Sequence, residues 1–299
     1  MIKAVIIEPE KRRRSFTPYW RNDQEIYSLF KVPVINGEFH KYWNEKIEKI
    51  FLSYAAFWSD YAQIASFVNR HKESKLYWII NDYSLRLNSA ITAAVKDRDF
   101  TVIASFHNPG GWSQFIELNL NVLIFNPQTP LPFSKRKYGI IYYGMYREGR
   151  AHYFQKYFSS EIVISTSRKN IILFKQLGCK PKFALPFHWN KSNPFPQFKY
   201  SLYIEDSYSH RNYTYPANRF YEGLSCGVLQ LFDEKTLPTF QKAGYDIASF
   251  IIKNKRSLKI AMSHIDKNYD HFLKQQLEWR IKAAEEREEL VSQLKEIFQ

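Results

Sequence analysis

Short apolar runs alternate along the chain with segments whose apolar positions recur every three or four residues. Residues 50–57 (IFLSYAAF), 76–80 (LYWII), 100–106 and 121–125 read as strands, with 3–8 a β-rich start before them. Residues 61–70 place Ile64, Phe67 and Val68 on one face and predict a helix, and 85–95 predicts another. The alternation then restarts. Strands are predicted at 139–143, 161–165, 200–205 and 228–232, with an extended segment at 182–189. Helices are predicted up to about residue 158, over 168–177 ending at Gly178, and over 237–244. Strands alternating with helices imply parallel sheets. Residues 126–137, carrying Pro127, Pro130 and Pro132, are the best candidate for a linker. A chain of 299 residues exceeds one ordinary domain. The expected division is 1–132, 133–275 and a terminal helix 276–299. From 257 to 298 the pattern is helical and charged, with Leu277, Ile281, Leu290, Leu294 and Ile297 as an apolar stripe and 285–289 as a solvated face. A coiled-coil dimerisation helix is the rival reading of that stripe.

One stretch organises the second half: YPANRFYEGLSCGVLQLFDE, residues 215–234. Pro216 and Asn218 can open a helix, Gly227 can end it, and 228–232 follows as a core strand. Arg219 and Glu222 lie one turn apart on that helix. Such a pair can neutralise a phosphate and accept from a diol such as a ribose; it can also be an ordinary surface ion pair. Upstream, strand 139–143 runs into Gly144-Met145-Tyr146-Arg147-Glu148-Gly149-Arg150 and a helix. Glycines that admit a backbone close to a ligand, outward helix amides, and Arg147 and Arg150 together describe a phosphate site, though not a Walker loop.

The first half offers fewer signals. Asp82 follows strand 76–80 directly, where a parallel strand delivers catalytic groups; helix N-capping is the other role for an Asp there. Arg12, Arg13 and Arg14 form a basic loop beyond the first strand, either a phosphate contact or a solvated charge run. The glycines of 107–112 (HNPGGW) allow close approach to a ligand or make a plain turn. Aromatics at Phe16, Tyr19, Trp20, Tyr42 and Trp43 read first as core.

The balance of 43 Lys and Arg against 29 Asp and Glu, a formal charge of +14, favours a polyanionic partner, nucleic acid or an anionic membrane surface. No apolar run reaches a membrane span and the first residues lack a signal core, so a cytoplasmic protein is expected. Cys179 and Cys226 are too few for a disulfide framework, and no metal-ligand spacing occurs.

The glycine-arginine loop from Gly144 (GMYREGR), the NRFYEGLSCGVLQLFDE segment and the lysine-rich terminal helix with Ala283-Ala284, in that order, resemble the phage DNA β-glucosyltransferase family, which is of the GT-B type. Strand LYWII with Asp82 resembles the strand that delivers that family's catalytic aspartate. The resemblance covers mainly residues 75–90, 138–155 and 200–298. It implies an α/β, GT-B fold: two Rossmann-like domains with parallel sheets facing a central cleft, the first for DNA and the second for the nucleotide sugar, and a C-terminal helix packing back toward the first. It implies Asp82 as the base, Arg219 on the donor diphosphate, Glu222 on the ribose, and Gly144 and Arg147 along the diphosphate and sugar. The family's second loop arginine aligns with Ala151, with Arg150 beside it as a further phosphate contact. Arg12 to Arg14 would grip DNA. The implied activity is inverting transfer of glucose from UDP-glucose to the hydroxymethyl group of a modified pyrimidine in double-stranded DNA. It would be carried out by a monomer in the phage-infected host cell with no obligatory metal. A GT-B enzyme acting on a cell-surface glycan or lipid is the alternative, and a non-enzymatic DNA-binding protein the third reading.

Overall fold

The computed structural model describes residues 1–8, 20–53, 56, 61–80, 95, 98–108, 111–158, 161–166, 168–178, 184–186 and 195–299. Asp82, Arg12, Arg13 and Arg14, and nearly all of the helix expected at 85–95, lie outside the described residues. The chain forms two compact units, Met1–Leu123 with Arg287–Gln299, and Ile124–Glu286.

The first unit is built on a parallel sheet of β1 (Ile2–Ile7), β2 (Val34–Ile35), β3 (Ile47–Leu52), β4 (Lys75–Ile80), β5 (Thr101–Ala104) and β6 (Phe115–Glu117), in the order β2-β1-β3-β4-β5-β6. Val5, Ile6 and Ile7 of β1 and Ile50, Phe51 and Leu52 of β3 are all buried, the near-continuous apolar run expected of a strand covered on both faces. Helices α1 (Trp20–Phe30) and α2 (Tyr61–Arg70) accompany it, and α2 buries Ile64, Phe67 and Val68 as its periodicity predicts. The strand expected at 121–125 is instead part of a 3-10 helix, Leu120–Ile124, and the sixth strand is β6. Leu120 is tied in by side chains: Leu120 N donates to Ser105 Oγ at 3.0 Å, and Asn22 Nδ2 donates to Leu120 O at 2.8 Å; Val122 N bonds back to Asn119 O at 3.2 Å. With those bonds made, the segment buries Leu120, Val122 and Leu123 without a ladder partner.

The chain's last residues complete this unit. Phe298 stacks on Phe30 at 4.8 Å and on Phe51 at 4.0 Å, while Lys49 Nζ donates to the Ile297 carbonyl at 2.9 Å, a cation on the helix's C-terminal end. Arg287 bonds Leu123 O at 3.2 Å and Glu25 at 3.1 Å.

The second unit has a parallel sheet of β7 (Tyr138–Tyr143), β8 (Ile162–Thr166), β9 (Ala184–Pro186), β10 (Phe198–Tyr203), β11 (Leu229–Asp233) and β12 (Ile251–Ile252), in the order β12-β11-β10-β7-β8-β9. Counted within the unit this is the 3-2-1-4-5-6 arrangement of a Rossmann sheet, whose direction of winding reverses between β7 and β10. Helices α3 (Ala151–Tyr157), α4 (Arg168–Gln176), α5 (Ser207–Asn212), α6 (Asn218–Cys226), α7 (Leu237–Lys242), α8 (Lys255–Lys267) and the start of α9 (Tyr269–Phe298) connect the strands.

Residues 206–215, which the sequence reading leaves without an element, contain α5, capped by Asp206, whose Oδ1 accepts from Ser209 N at 2.8 Å. The terminal helical region is two helices, because Asn254 and Ser257 form a capping box for α8 and the chain leaves helical geometry at Asn268. The break resets the phase of α9. Phe272, Trp279 and Ala283 point inward, with Trp279 4.9 Å from the Phe250 ring, whereas Leu277 and Ile281 are exposed. Leu290 and Leu294 are buried as expected. Glu286 leaves the expected solvated face to accept from Tyr245 Oη at 2.8 Å.

Candidate functional site

Helix α6 is fastened to its sheet from three directions. At its start Ala217 N donates to Tyr203 Oη at 2.8 Å, so a tyrosine of β10 takes an amide that helix bonding leaves over. In its middle Gln230 of β11 donates to the Phe220 carbonyl at 2.9 Å. At its end Gly227 adopts φ 63°, the left-handed cap the sequence predicts, and a Cβ there would meet Pro130 at 2.7 Å. The buried Arg136 closes that end. Its guanidinium donates to Gly227 O at 2.9 Å, Cys226 O at 3.2 Å, Phe198 O at 2.8 Å and Leu131 O at 3.2 Å. The helix therefore presents Arg219 from a rigid base.

At the carboxyl ends of β7 and β10, where the winding reverses, five charged groups meet. Glu205 and Asp206 follow β10. Arg150, only 1 % exposed, donates to Glu205 Oε2 at 2.5 Å, lies 3.4 Å from Asp206 Oδ2, and donates to Tyr142 Oη at 3.0 Å. Arg219 donates to the same Tyr142 hydroxyl and to the Ile204 carbonyl, both at 3.2 Å, and pairs with Glu205 Oε1 at 3.3 Å. Its guanidinium lies over the rings of Tyr142 at 5.8 Å and Tyr203 at 5.7 Å. Arg147, whose side chain is 42 % exposed, reaches Asp206 at 3.5 Å. Gly144 turns the chain out of β7 at φ 155°, and a Cβ there would stand 3.0 Å from Tyr142 Oη and 3.2 Å from Arg219 Nη1. The glycine is needed because no side chain fits beside that pair.

Burial acts against the Arg219 charge, but Glu205, Tyr142 and Tyr203 outweigh it and hold its pKa above the usual value. Burial likewise works against an ionised Asp206; Arg150, the Ser209 amide and Arg147 overcome it and hold the carboxyl below the ordinary range. Three guanidinium charges against two carboxylates leave one positive charge over. Arg150 at the centre makes the shortest of these contacts, 2.5 Å to Glu205, and Arg219 and Arg147 stand at the edge. Such an edge, at the switch point of a Rossmann sheet, is suited to a diphosphate.

The structure thus gathers Gly144, Arg147, Arg150 and Arg219 around one carboxylate pair. Glu222, 5 % exposed, lies one turn further along α6. Tyr142, Tyr203, Glu205, Asp206 and Arg136 escaped the sequence reading. Only Glu205-Asp206 carried a signal, as acids directly after a strand.

No protein-family model and no curated protein matches the sequence. Solved structures do. The DNA modifying enzyme β-glucosyltransferase, studied in the presence and absence of uridine diphosphoglucose, matches with a TM-score of 0.73 at 16% identity over 100% of this chain and 99% of that one. T4 phage BGT in complex with UDP and Mn2+ matches at 0.69 and 15% identity, covering 100% of both chains. An α-glucosyltransferase in complex with UDP and a 13-mer DNA containing a central A:G mismatch matches at 0.55 and 10% identity, over 97% and 94% of the two chains. Among the described residues of this chain no group of three or more His, Cys, Asp or Glu is placed to hold a metal ion. Glu205 and Asp206, already engaged by arginines, do not make a ligand set for manganese. From end to end, this chain has the two-sheet α/β fold of the phage β-glucosyltransferase, the fold that its glycine-arginine loop and arginine-x-x-glutamate helix imply.

Proposed function

We propose that the chain is an inverting glycosyltransferase that moves glucose from UDP-glucose to the hydroxymethyl group of a modified pyrimidine in duplex DNA. The observation that carries this reading is the convergence of Arg219, Arg147 and Gly144 at the switch point of the second sheet. There the two edge arginines meet the diphosphate, Glu222 takes the ribose hydroxyls, and Gly144 lets the backbone come close. Arg150 touches no ligand in this account: it holds Glu205 and Asp206, which in turn aim the outer arginines.

Asp82 follows β4 by two residues, at the end where parallel strands present catalytic groups. As base it takes the proton of the acceptor hydroxyl, whose oxygen bonds the anomeric carbon while the bond from that carbon to the phosphate oxygen breaks. The electron pair leaves on UDP, and Arg219 and Arg147 stabilise the charge that develops there. A base inside the stack is out of reach, so the target nucleotide is flipped out. Arg12, Arg13 and Arg14 and the +14 net charge grip the DNA phosphates. No helix among the described residues is long and apolar enough to cross a membrane. The proposed setting is a monomer acting in the infected host's cytoplasm.

The test is incubation with hydroxymethylcytosine DNA and hydroxymethyluracil DNA across a panel of nucleotide sugars, followed by nucleoside digestion and mass measurement. A gain of one hexose on one modified base, from UDP-glucose, is expected. Nucleosides left unchanged by every donor, with transfer instead to a lipid or glycan acceptor, would overturn the DNA reading.

A further inference from the structure

Four aromatic rings stand in a row across one face of the first sheet. Phe30 stacks on Phe298 at 4.8 Å, Phe298 on Phe51 at 4.0 Å and Phe51 on Tyr77 at 4.7 Å, with interplanar angles of 5°, 16° and 13°. The row follows the strand pairing: Phe51 of β3 is the partner of Tyr77 of β4, and Tyr77 is the partner of Thr101 of β5. Adjacent strands lie about 4.8 Å apart, which is also a stacking distance for rings. The next place in the row, over Thr101, therefore has the spacing for a fifth ring but holds only a small side chain. Beyond it stands Gln114. Thr101 Oγ1 donates to Gln114 Oε1 at 2.9 Å, which leaves the Gln114 amide nitrogen to donate elsewhere. Tyr77, Thr101 and Gln114 line an open cavity of about 560 Å³, together with the exposed Lys72, Lys75 and Asp99. Glu73 and Arg98, also on its wall, offset each other, so the two lysines exceed Asp99 by one positive charge. The turn that carries Lys72 is pinned, because Ser74 Oγ donates to Ile47 O at 2.7 Å and Arg98 donates to Val68 O and Ser74 O, both at 2.5 Å.

We propose that this cavity is a second nucleotide site, which takes a nucleoside monophosphate with its base stacked on Tyr77 over Thr101 and its phosphate on Lys75 and Lys72. The base continues the row of rings, and a carbonyl on its edge accepts from the Gln114 amide. Asp99 accepts from the ribose hydroxyls, and the two cations pair with the phosphate. The volume is that of a small-ligand pocket. The cavity lies at the amino ends of β4 and β5, the edge opposite the one at which Asp82 follows β4, so its ligand is neither the sugar donor nor the acceptor base. The proposal does not depend on the nucleotide-sugar reading of the second unit.

The experiment is calorimetric titration of the full chain with adenosine monophosphate (AMP), in the natural sequence and in Arg219→Met, which disables the diphosphate site proposed for the second unit. Saturable one-to-one binding is expected in both. Thr101→Phe puts the protein's own ring in the next place of the row. It is expected to weaken AMP about 10-fold or more, as for a lost base–aromatic stack, with the thermal midpoint maintained. Lys75→Gln, at an exposed position, is expected to weaken AMP several-fold and to spare adenosine, and it carries the test if Thr101→Phe folds poorly. Absence of saturable AMP binding, or its loss in Arg219→Met, overturns the proposal. So does AMP affinity unchanged by Thr101→Phe, or an equal loss of AMP and adenosine in Lys75→Gln.

Discussion

Replacing Arg136 with methionine tests whether α6 is held from behind as firmly as its contacts indicate. The substitution keeps the aliphatic bulk and removes a buried guanidinium that donates to four backbone carbonyls. Of these, Phe198 O at 2.8 Å and Gly227 O at 2.9 Å are the close ones. Leaving two buried carbonyls unsatisfied costs about 1–3 kcal/mol each. Part of that is returned because a charge whose burial depresses its pKa is no longer desolvated. A net loss of about 2–5 kcal/mol follows, or roughly 4–20 °C in the thermal midpoint of a unit of this size. Scanning calorimetry of the full chain reads it as a downward shift of the second unit's transition. Because Arg136 bonds the carboxyl end of the helix that carries Arg219, UDP binding should weaken at temperatures well below that transition. A midpoint moved by less than about 1 °C, with UDP binding intact, would refute the idea that this clamp positions the helix.

Other perturbations give sharper signs. Phe298→Ala empties the stack between Phe30 and Phe51 and should destabilise the first unit by about 3–5 kcal/mol, seen as loss of the first unit's hydrogen-exchange protection with the second unit's retained. Asp23 is buried and its carboxyl is held well above the usual range, first by that burial and then by the neighbouring Glu8. It binds its proton more tightly folded than unfolded, so stability falls as pH rises from its unfolded pKa of about 3.9. Asp23→Asn should therefore stabilise the first unit at pH 7 by denaturant titration and flatten that slope. Asp206 has the opposite sign. Its carboxyl is held low, so its stabilising contribution is present above about pH 3.9 and is lost as pH falls through the folded value. Asp206→Asn should remove that part of the acid limb while keeping an Oδ1 to cap α5.

The alternation of strands and helices was legible because the central parallel strands are largely buried on both faces and read as apolar runs. Helix α6 was legible because its signals are local, Pro216 before it and Gly227 in the left-handed cap after it. The 3-10 helix Leu120–Ile124 was not, since a short buried apolar run has the same composition whether its backbone bonds run to a ladder or to Ser105 and Asn22. Helix α5 hid in SYSHRN, which has no apolar periodicity. The inward stripe of α9 depends on a phase set at Asn268, which polarity alone does not mark. Arg150 shows the same limit at the site. Nothing near it in sequence indicates that its partners are Glu205 and Asp206, more than fifty residues on. Gly144, Arg147 and Arg219 were accessible to sequence reasoning because a glycine turn after a strand and a basic residue at a helix start are chemical statements in themselves.

The central claim is that the switch point of the second sheet is a nucleoside-diphosphate site built on Arg219. Titration of UDP into the full chain, with Arg219→Met beside it, tests that claim most directly. Saturable binding that weakens by roughly 30-fold or more in the variant is predicted, as for a lost charge-assisted pair of about 2 kcal/mol or more. Absence of UDP binding, or equal affinity in the two proteins, would contradict it.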